Sequence, residues 1–298
     1  MTERRITVAD GIDLAVVEAG AGGRPLLLMH GFGGAKEDFT GFLDPLAARG
    51  WHAVTFDLRG HGSSSKSDDE SAYGFDLAVG DVLALADALR WERFTLLGHS
   101  MGGMIAQLVA LKAPERLDAL ILMDTSHACP DRVEPNGVAL GIDIVRQGGT
   151  ALLVDIQRQA GPSLTETAAH LRMVAADPAY DEFSTNKTLA THGPAWIGFV
   201  RDILDQEDRL PLVASLRLPT LVIAGEQDDG FTGQCGHLAD TIPGARLEVI
   251  PDGGHSPQFE APEAWWAALT SFLDDLPTTG GSGVLRASPE KPPTEVVG

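Results

Sequence analysis

A mostly parallel β-sheet flanked by helices and interrupted once by a helical insertion is the α/β fold class that this chain predicts. Three observations carry it. Short apolar runs recur along the chain, stretches of helical period separate them, and the alternation lapses between about Ser126 and Leu216. Runs that are apolar on both faces suit strands buried between two layers of helices.

The first strands, around "ITV" and "LAVV", have no helix between them and are read as an antiparallel edge. The runs Leu26–Met29, His52–Phe56, Phe94–Leu97 and Ala119–Met123 follow. Between the second and third of these, Phe75, Val79, Val82, Ala86 and Leu89 recur at helical spacing and share one face. A helix with Met104, Leu108 and Leu111 on one face follows Phe94–Leu97 and stops at Pro114. The insertion holds helical stretches such as "GVALGIDIVRQ" and "SLTETAAHLRMVAA" and no strand of matching quality. Strands resume at Thr220–Ala224 and Arg246–Ile250, and a last helix opens at Pro262 with Trp265, Leu269 and Phe272 turned inward. The expected organisation is a core of residues 1–125 and 217–277, a helical cap of 126–216, and a tail of 278–298. The Gly, Pro and Ser content of that tail points to disorder.

Composition narrows the partners. The 22 basic against 42 acidic residues leave a net charge of -20, which repels nucleic acid backbones and anionic lipid surfaces. "MTERRITVAD" lacks the apolar stretch of a signal peptide, and no segment reaches the roughly 18 uninterrupted apolar residues of a membrane span, so a soluble, cytoplasmic chain is expected. Cys129 and Cys235 have neither metal-ligand spacing nor the count of a disulfide framework. No cofactor and no metal is expected.

The chemistry centres on "LLGHSMGGM", Leu96 to Met104. With 34 glycines in 298 residues, about 0.2 accidental matches to G-x-S-x-G would arise, so context decides. Here the motif joins a strand directly to a helix, the setting of a nucleophile elbow in which Ser100 is strained and flanking glycines let the backbones approach. A serine hydroxyl needs a base and a group that orients the base. His255, in the glycine-rich "IPDGGHSPQFEAPE", is the best placed of the nine histidines. For the acid, "LVIAGEQDDG" offers Asp228 and Asp229, and Asp124 closes "ALILMD". An oxyanion would be met by the Met101 N–H at the helix start and by the Phe32 N–H in "LLLMHGFGG". That loop lacks both G-x-G-x-x-G spacing and a Walker lysine, which speaks against phosphate binding.

Together "HGFGG", "DLRGHGSS", "GHSMGG", "GEQDD" and "GGHSPQFEAPE" resemble the α/β-hydrolase superfamily, in its cofactor-free branch of esterases, lactonases, carbon-carbon bond hydrolases and perhydrolases. The resemblance covers Ile6 to about Leu276. It implies an α/β-hydrolase fold whose insertion is a cap over the active site, and it favours Asp228, three residues beyond the strand-ending glycine, over Asp229. It also implies that Asp57, Arg59 and His61 of "DLRGHGSS" serve structure. Relatives that attack saturated carbon carry aspartate at the elbow, so Ser100 argues against dehalogenase and epoxide hydrolase chemistry. The first expectation is therefore a serine hydrolase that cleaves a small-molecule carboxylic ester or lactone through an acyl-enzyme on Ser100. A second is a hydrolase of vinylogous diketones, with a substrate carboxylate held by Arg132, Arg146, Arg158, Arg172 or Arg201. A third, from another class, is a small-molecule receptor on the same scaffold. Trp196 and Phe199 are the candidate substrate contacts from the cap.

Overall fold

The protein is described by a computed structural model covering residues 1–130, 133–160 and 165–277. The tail expected over 278–298 and Arg132 lie outside the described residues.

The chain opens with a hairpin of β1 (Thr2–Ala9) and β2 (Ile12–Ala19), turned at Gly11 with φ 70°. Next come β3 (Arg24–Met29), the short helices α1 (Glu37–Thr40) and α2 (Leu43–Ala48), and β4 (Trp51–Phe56). Helix α3 (Phe75–Ala88) leads to β5 (Phe94–His99), and α4 (Met101–Lys112) leads to β6 (Leu117–Met123). Five helices then intervene: α5 (Pro135–Ala160), α6 (Ala168–Ala176), α7 (Pro178–Ala190), α8 (Gly193–Asp205) and α9 (Leu210–Val213). The sheet resumes with β7 (Thr220–Gly225), α10 (Thr232–Thr241) and β8 (Arg246–Ile250), and the described chain closes on α11 (Pro257–Glu260) and α12 (Pro262–Asp275).

These strands form one eight-stranded sheet in the order β1-β2-β4-β3-β5-β6-β7-β8. Strand β2 is antiparallel to β1 and to β4, and every pair from β4 through β8 is parallel. This is the α/β-hydrolase arrangement. Alternate residues of the parallel strands feed the two faces: Leu27, Leu96 and Leu120 meet α3, α4 and α10, whereas Leu26, Leu28 and Leu97 meet α1, α2 and α12.

The order places the site. From β3 the chain turns to β4 on one side, and from α3 it returns to β5 on the other. The loops after β3 and β5 therefore leave the sheet toward opposite faces and open a crevice at the strand C-termini, where ligands of such sheets bind.

Met104, Leu108 and Leu111 of α4 pack against one cluster, as expected, but they are only part of what this helix covers. Met104 is buried, but Leu108 and Leu111 are only half-buried, while Ile105, Ala106, Val109 and Ala110 are fully covered. Both the sheet and α3 pack on this helix, so its most protected residues do not follow a single stripe. Helix α5 is 26 residues long and apolar enough by composition to cross a membrane, with a third of that stretch buried. It is broken at Gly148 and Gly149, where Gly149 takes φ 68°, and it packs against α8.

The inward face of α12 anchors the second core layer. Trp265 is fully buried, its ring 4.7 Å from that of Phe42, and its indole N–H donates to Met123 Sδ at 3.0 Å. Replacing it by alanine is expected to cost about 3–5 kcal/mol of unfolding free energy. Urea denaturation measures this, and a loss below 1 kcal/mol would contradict the packing described.

Candidate active site

Ser100 occupies the turn between β5 and α4 with φ 53° and ψ -119°, a conformation L-residues rarely adopt. Hydrogen bonds on both sides of its backbone hold it there. Its N–H donates to the Met123 carbonyl at 2.8 Å, its carbonyl accepts from the Gly103 N–H at 2.8 Å, and the Thr125 hydroxyl donates to that carbonyl at 2.7 Å. The turn also requires glycine on both sides. A Cβ on Gly98 would run into the Gly102 carbonyl, and one on Gly102 would lie 2.5 Å from the His30 carbonyl oxygen.

His255 and Asp228 approach from the loops after β8 and β7. The Ser100 hydroxyl lies 2.9 Å from His255 Nε2, and His255 Nδ1 lies 2.7 Å from Asp228 Oδ2. A carboxylate facing Nδ1 fixes the proton on that nitrogen, which leaves Nε2 free to accept from serine. All three side chains are buried. Of the other acids considered, Asp229 is exposed, whereas Asp124 is fully buried beside Asp228.

Phe32 and Met101 flank the serine from the β3 loop and the start of α4. Neither backbone N–H donates to a protein acceptor among the described residues, which leaves both available to a ligand. His30 braces the Phe32 loop. Its Nδ1–H donates to the Gly31 carbonyl at 2.7 Å, and its Nε2 accepts from the Leu58 N–H at 3.0 Å. His99 Nε2–H donates to the His255 carbonyl at 2.6 Å and so steadies the histidine loop. Sequence reasoning assigned neither role, although both residues sit inside the quoted motifs.

A cavity of about 490 Å³ opens above Ser100. The core contributes Phe32, Asp38, His99 and His255, and the inserted helices contribute Val154, Arg158, His170, Tyr180, Lys187 and Thr188. Among the described lining residues, only Phe32 and Val154 carry purely hydrocarbon side chains, glycines apart. Lys187 reaches from α7 to form a largely buried ion pair with Asp38. Burial alone would raise the Asp38 carboxyl, but the Lys187 ammonium, through its charge and its hydrogen bond, holds it below its ordinary value. Neither Trp196 nor Phe199 lines this cavity, contrary to expectation. Trp196 packs in the insertion with Val145, Leu153 and Val200, its ring 5.4 Å from that of Phe32, and Phe199 is fully buried beside His61 and Tyr73.

The arginines considered as carboxylate anchors are mostly engaged elsewhere. Arg146 and Arg201 both pair with Glu70, and Arg172 donates to Gln227 and to the Asp252 carbonyl. Of the described candidates, only Arg158 lines the cavity, where it also bonds Thr185 and lies 3.9 Å from Asp181. The "DLRGHGSS" loop is held internally. Asp57 accepts from the backbone N–H groups of Lys36 and Ser63, and Arg59 makes a two-point bond with Asp81 at 2.5 and 2.6 Å. No cluster of metal-binding side chains occurs among the described residues.

With this geometry in view, the chain belongs to the alpha/beta hydrolase fold family, whose profile matches residues 24–262. It is a hydrolase of that fold. The Serine hydrolase-like protein of Danio rerio is 39% identical over 111 residues, which span 37% of this chain and only 34% of that protein. The Pimeloyl-[acyl-carrier protein] methyl ester esterase of Edwardsiella ictaluri is 29% identical over 86% of this chain and 95% of its own. Among solved structures, a thermophilic esterase from Thermogutta terrifontis superimposes with a TM-score of 0.78, at 26% identity, over 93% of this chain and 99% of that one.

The burial of neutral histidines has a measurable consequence. Burial pushes His30 down, His61 well down, and His99 to about 3. Unfolded, each takes a proton below about pH 6.5. The unfolded state then binds more protons, and stability falls as pH drops from 6.5 toward the folded values. His61→Phe, placed between His30 and Phe199, is expected to flatten that slope by up to about 1.4 kcal/mol per pH unit. Denaturation curves from pH 7 to 4 measure it, and an unaltered slope would show that His61 titrates normally.

Proposed function

We propose that the protein hydrolyses carboxylic esters or lactones of short, polar acids through an acyl-enzyme on Ser100. The observation that carries this is the unbroken chain Ser100 Oγ, His255 Nε2, His255 Nδ1, Asp228 Oδ2 at 2.9 and 2.7 Å, set beneath a cavity. His255 takes the serine proton as Oγ attacks the carbonyl, and Asp228 steadies the imidazolium that results. The developing oxyanion is met by the Phe32 and Met101 N–H groups. Losing one such donor in comparable sites costs roughly 2.7–4 kcal/mol of transition-state stabilisation. His255 then returns the proton to the leaving alcohol, and water, activated the same way, releases the acid.

The cavity lining supports the substrate class. A long acyl chain would leave half-buried Thr188 and the largely buried Asp38–Lys187 pair facing hydrocarbon, each at a cost of about 1–3 kcal/mol. A small acid or lactone bearing hydroxyl or carbonyl groups can instead bond to them. The esterases reported above, whose lengths this chain covers almost completely, are consistent with ester chemistry.

Two measurements test this reading. Ser100→Ala is expected to abolish covalent labelling by a fluorophosphonate and to lower ester turnover by at least a thousandfold; persistent labelling would remove Ser100 from its role. Across p-nitrophenyl esters from acetate to palmitate, kcat/KM is expected to fall with chain length, and short hydroxylated esters or lactones are expected to outperform acyl chains of equal size. A maximum at long acyl chains would refute the polar-substrate reading and leave the nucleophile untouched.

A further inference from the structure

We infer that Asp124 stays protonated and donates a hydrogen bond to Asp228, which makes it a positioning residue for the carboxylate that orients His255. The inference rests on the roles proposed above for Ser100, His255 and Asp228.

Asp124 closes β6 with φ 44° and is fully buried. Its backbone N–H donates to the Ile223 carbonyl at 2.9 Å, and its Oδ1 accepts from the Gly225 N–H at 2.7 Å. Both bonds lash the end of β6 to the end of β7, three residues before Asp228. The other oxygen, Oδ2, is buried and finds no donor among the described residues, and Asp228 Oδ1 is in the same position. Yet the two side chains lie within hydrogen-bonding reach of each other. Two acceptors facing one another in a dry interior repel unless a proton sits between them, so one carboxyl is neutral.

The surroundings decide which. Asp228 faces the His255 imidazole, whose positive form it stabilises. Asp124 faces no cation among the described residues. Its titratable neighbours are Asp228 itself, Glu260 of α11 and the Cys235 thiol of α10, and burial followed by the Asp228 charge drives its carboxyl well above the ordinary range. Cys235 is pushed up as well by burial, and remains a neutral thiol. Glu260 is occupied by the Gly254 and Ser256 N–H groups at 2.6 and 3.1 Å. Asp124 therefore holds the proton. Its O–H holds Asp228 Oδ1, so that Oδ2 stays aimed at His255 Nδ1.

Asparagine is the discriminating replacement. Its carbonyl can still accept from Gly225, its NH₂ can donate to Asp228, and asparagine tolerates a positive φ. The first arm needs no substrate. Infrared spectra of the wild type at pH 7 are expected to show a protonated-carboxyl stretch that disappears in Asp124→Asn; if no such band is lost, the inference fails. In the second arm, Asp124→Ala is expected to lower kcat about tenfold with little change in KM, and Asp124→Asn to recover most of that loss with the acid-limb midpoint of kcat/KM moved by less than about 0.3 pH unit. A downward move of a full unit in Asp124→Asn would mean that a negative charge had been removed, and full activity in Asp124→Ala would mean that Asp228 needs no support; either overturns the inference. If the wild type hydrolyses no ester or lactone, the proposed function fails while the infrared arm still reports on Asp124.

Discussion

Everything in this site depends on the tightness of the turn between β5 and α4. Ser100 can stand proud of the sheet only because its backbone is forced to positive φ, and the turn closes only because Gly98 and Gly102 let strand, helix and the His30 carbonyl come together. Strain of this kind costs of order 1–3 kcal/mol and survives only where its surroundings over-determine it. Here the β6 end does so, through the Met123 carbonyl and the Thr125 hydroxyl. The same strand end supplies Asp124. One strand terminus thus secures both the nucleophile and the neighbour of the acid, and so couples two ends of the Ser100, His255, Asp228 chain that are 128 residues apart in sequence.

Electrostatically, the crevice separates charge by depth. At the base lie neutral imidazoles, His30, His61 and His99, each stripped of its proton by burial, and a carboxyl in Asp124 that burial keeps protonated. Around the cavity the charges are paired across elements, as in Asp38 with Lys187. Such a floor places few fixed charges near Ser100. In the proposed acyl transfer, the developing charge would meet oriented N–H dipoles with little competing field.

How much of this could be read beforehand follows from how local each signal is. The strands and their order of chemistry were legible because a buried parallel strand writes its apolar run into consecutive residues, and Ser100, Asp228 and His255 sit where those runs end. The acid itself was ambiguous among Asp124, Asp228 and Asp229 until burial and direction separated them. The roles of Trp196 and Phe199 were not legible: an aromatic residue on an amphipathic helix looks the same whether its face meets a cavity or a neighbouring helix, and α8 turns both toward packing. Asp38 and Lys187 carried no signal at all. They are 149 residues apart, and no spacing rule links a loop acid to a helix lysine at that distance. The stripe of Met104, Leu108 and Leu111 understated α4, because a helix covered on two sides spreads its burial around the axis.

The break at Gly148 and Gly149 makes α5 two rods rather than one. The first presents Gly141 and Val145 to Trp196 and α8, and the second carries Val154, Gln157 and Arg158 to the cavity wall. The hinge does not isolate the two, because Leu153 of the second rod packs with Val145 of the first and with Trp196, so the cavity wall and the seam with α8 share one hydrophobic cluster. A change in the wall is thereby felt at the seam, since Leu153 stands next to Val154 in the chain.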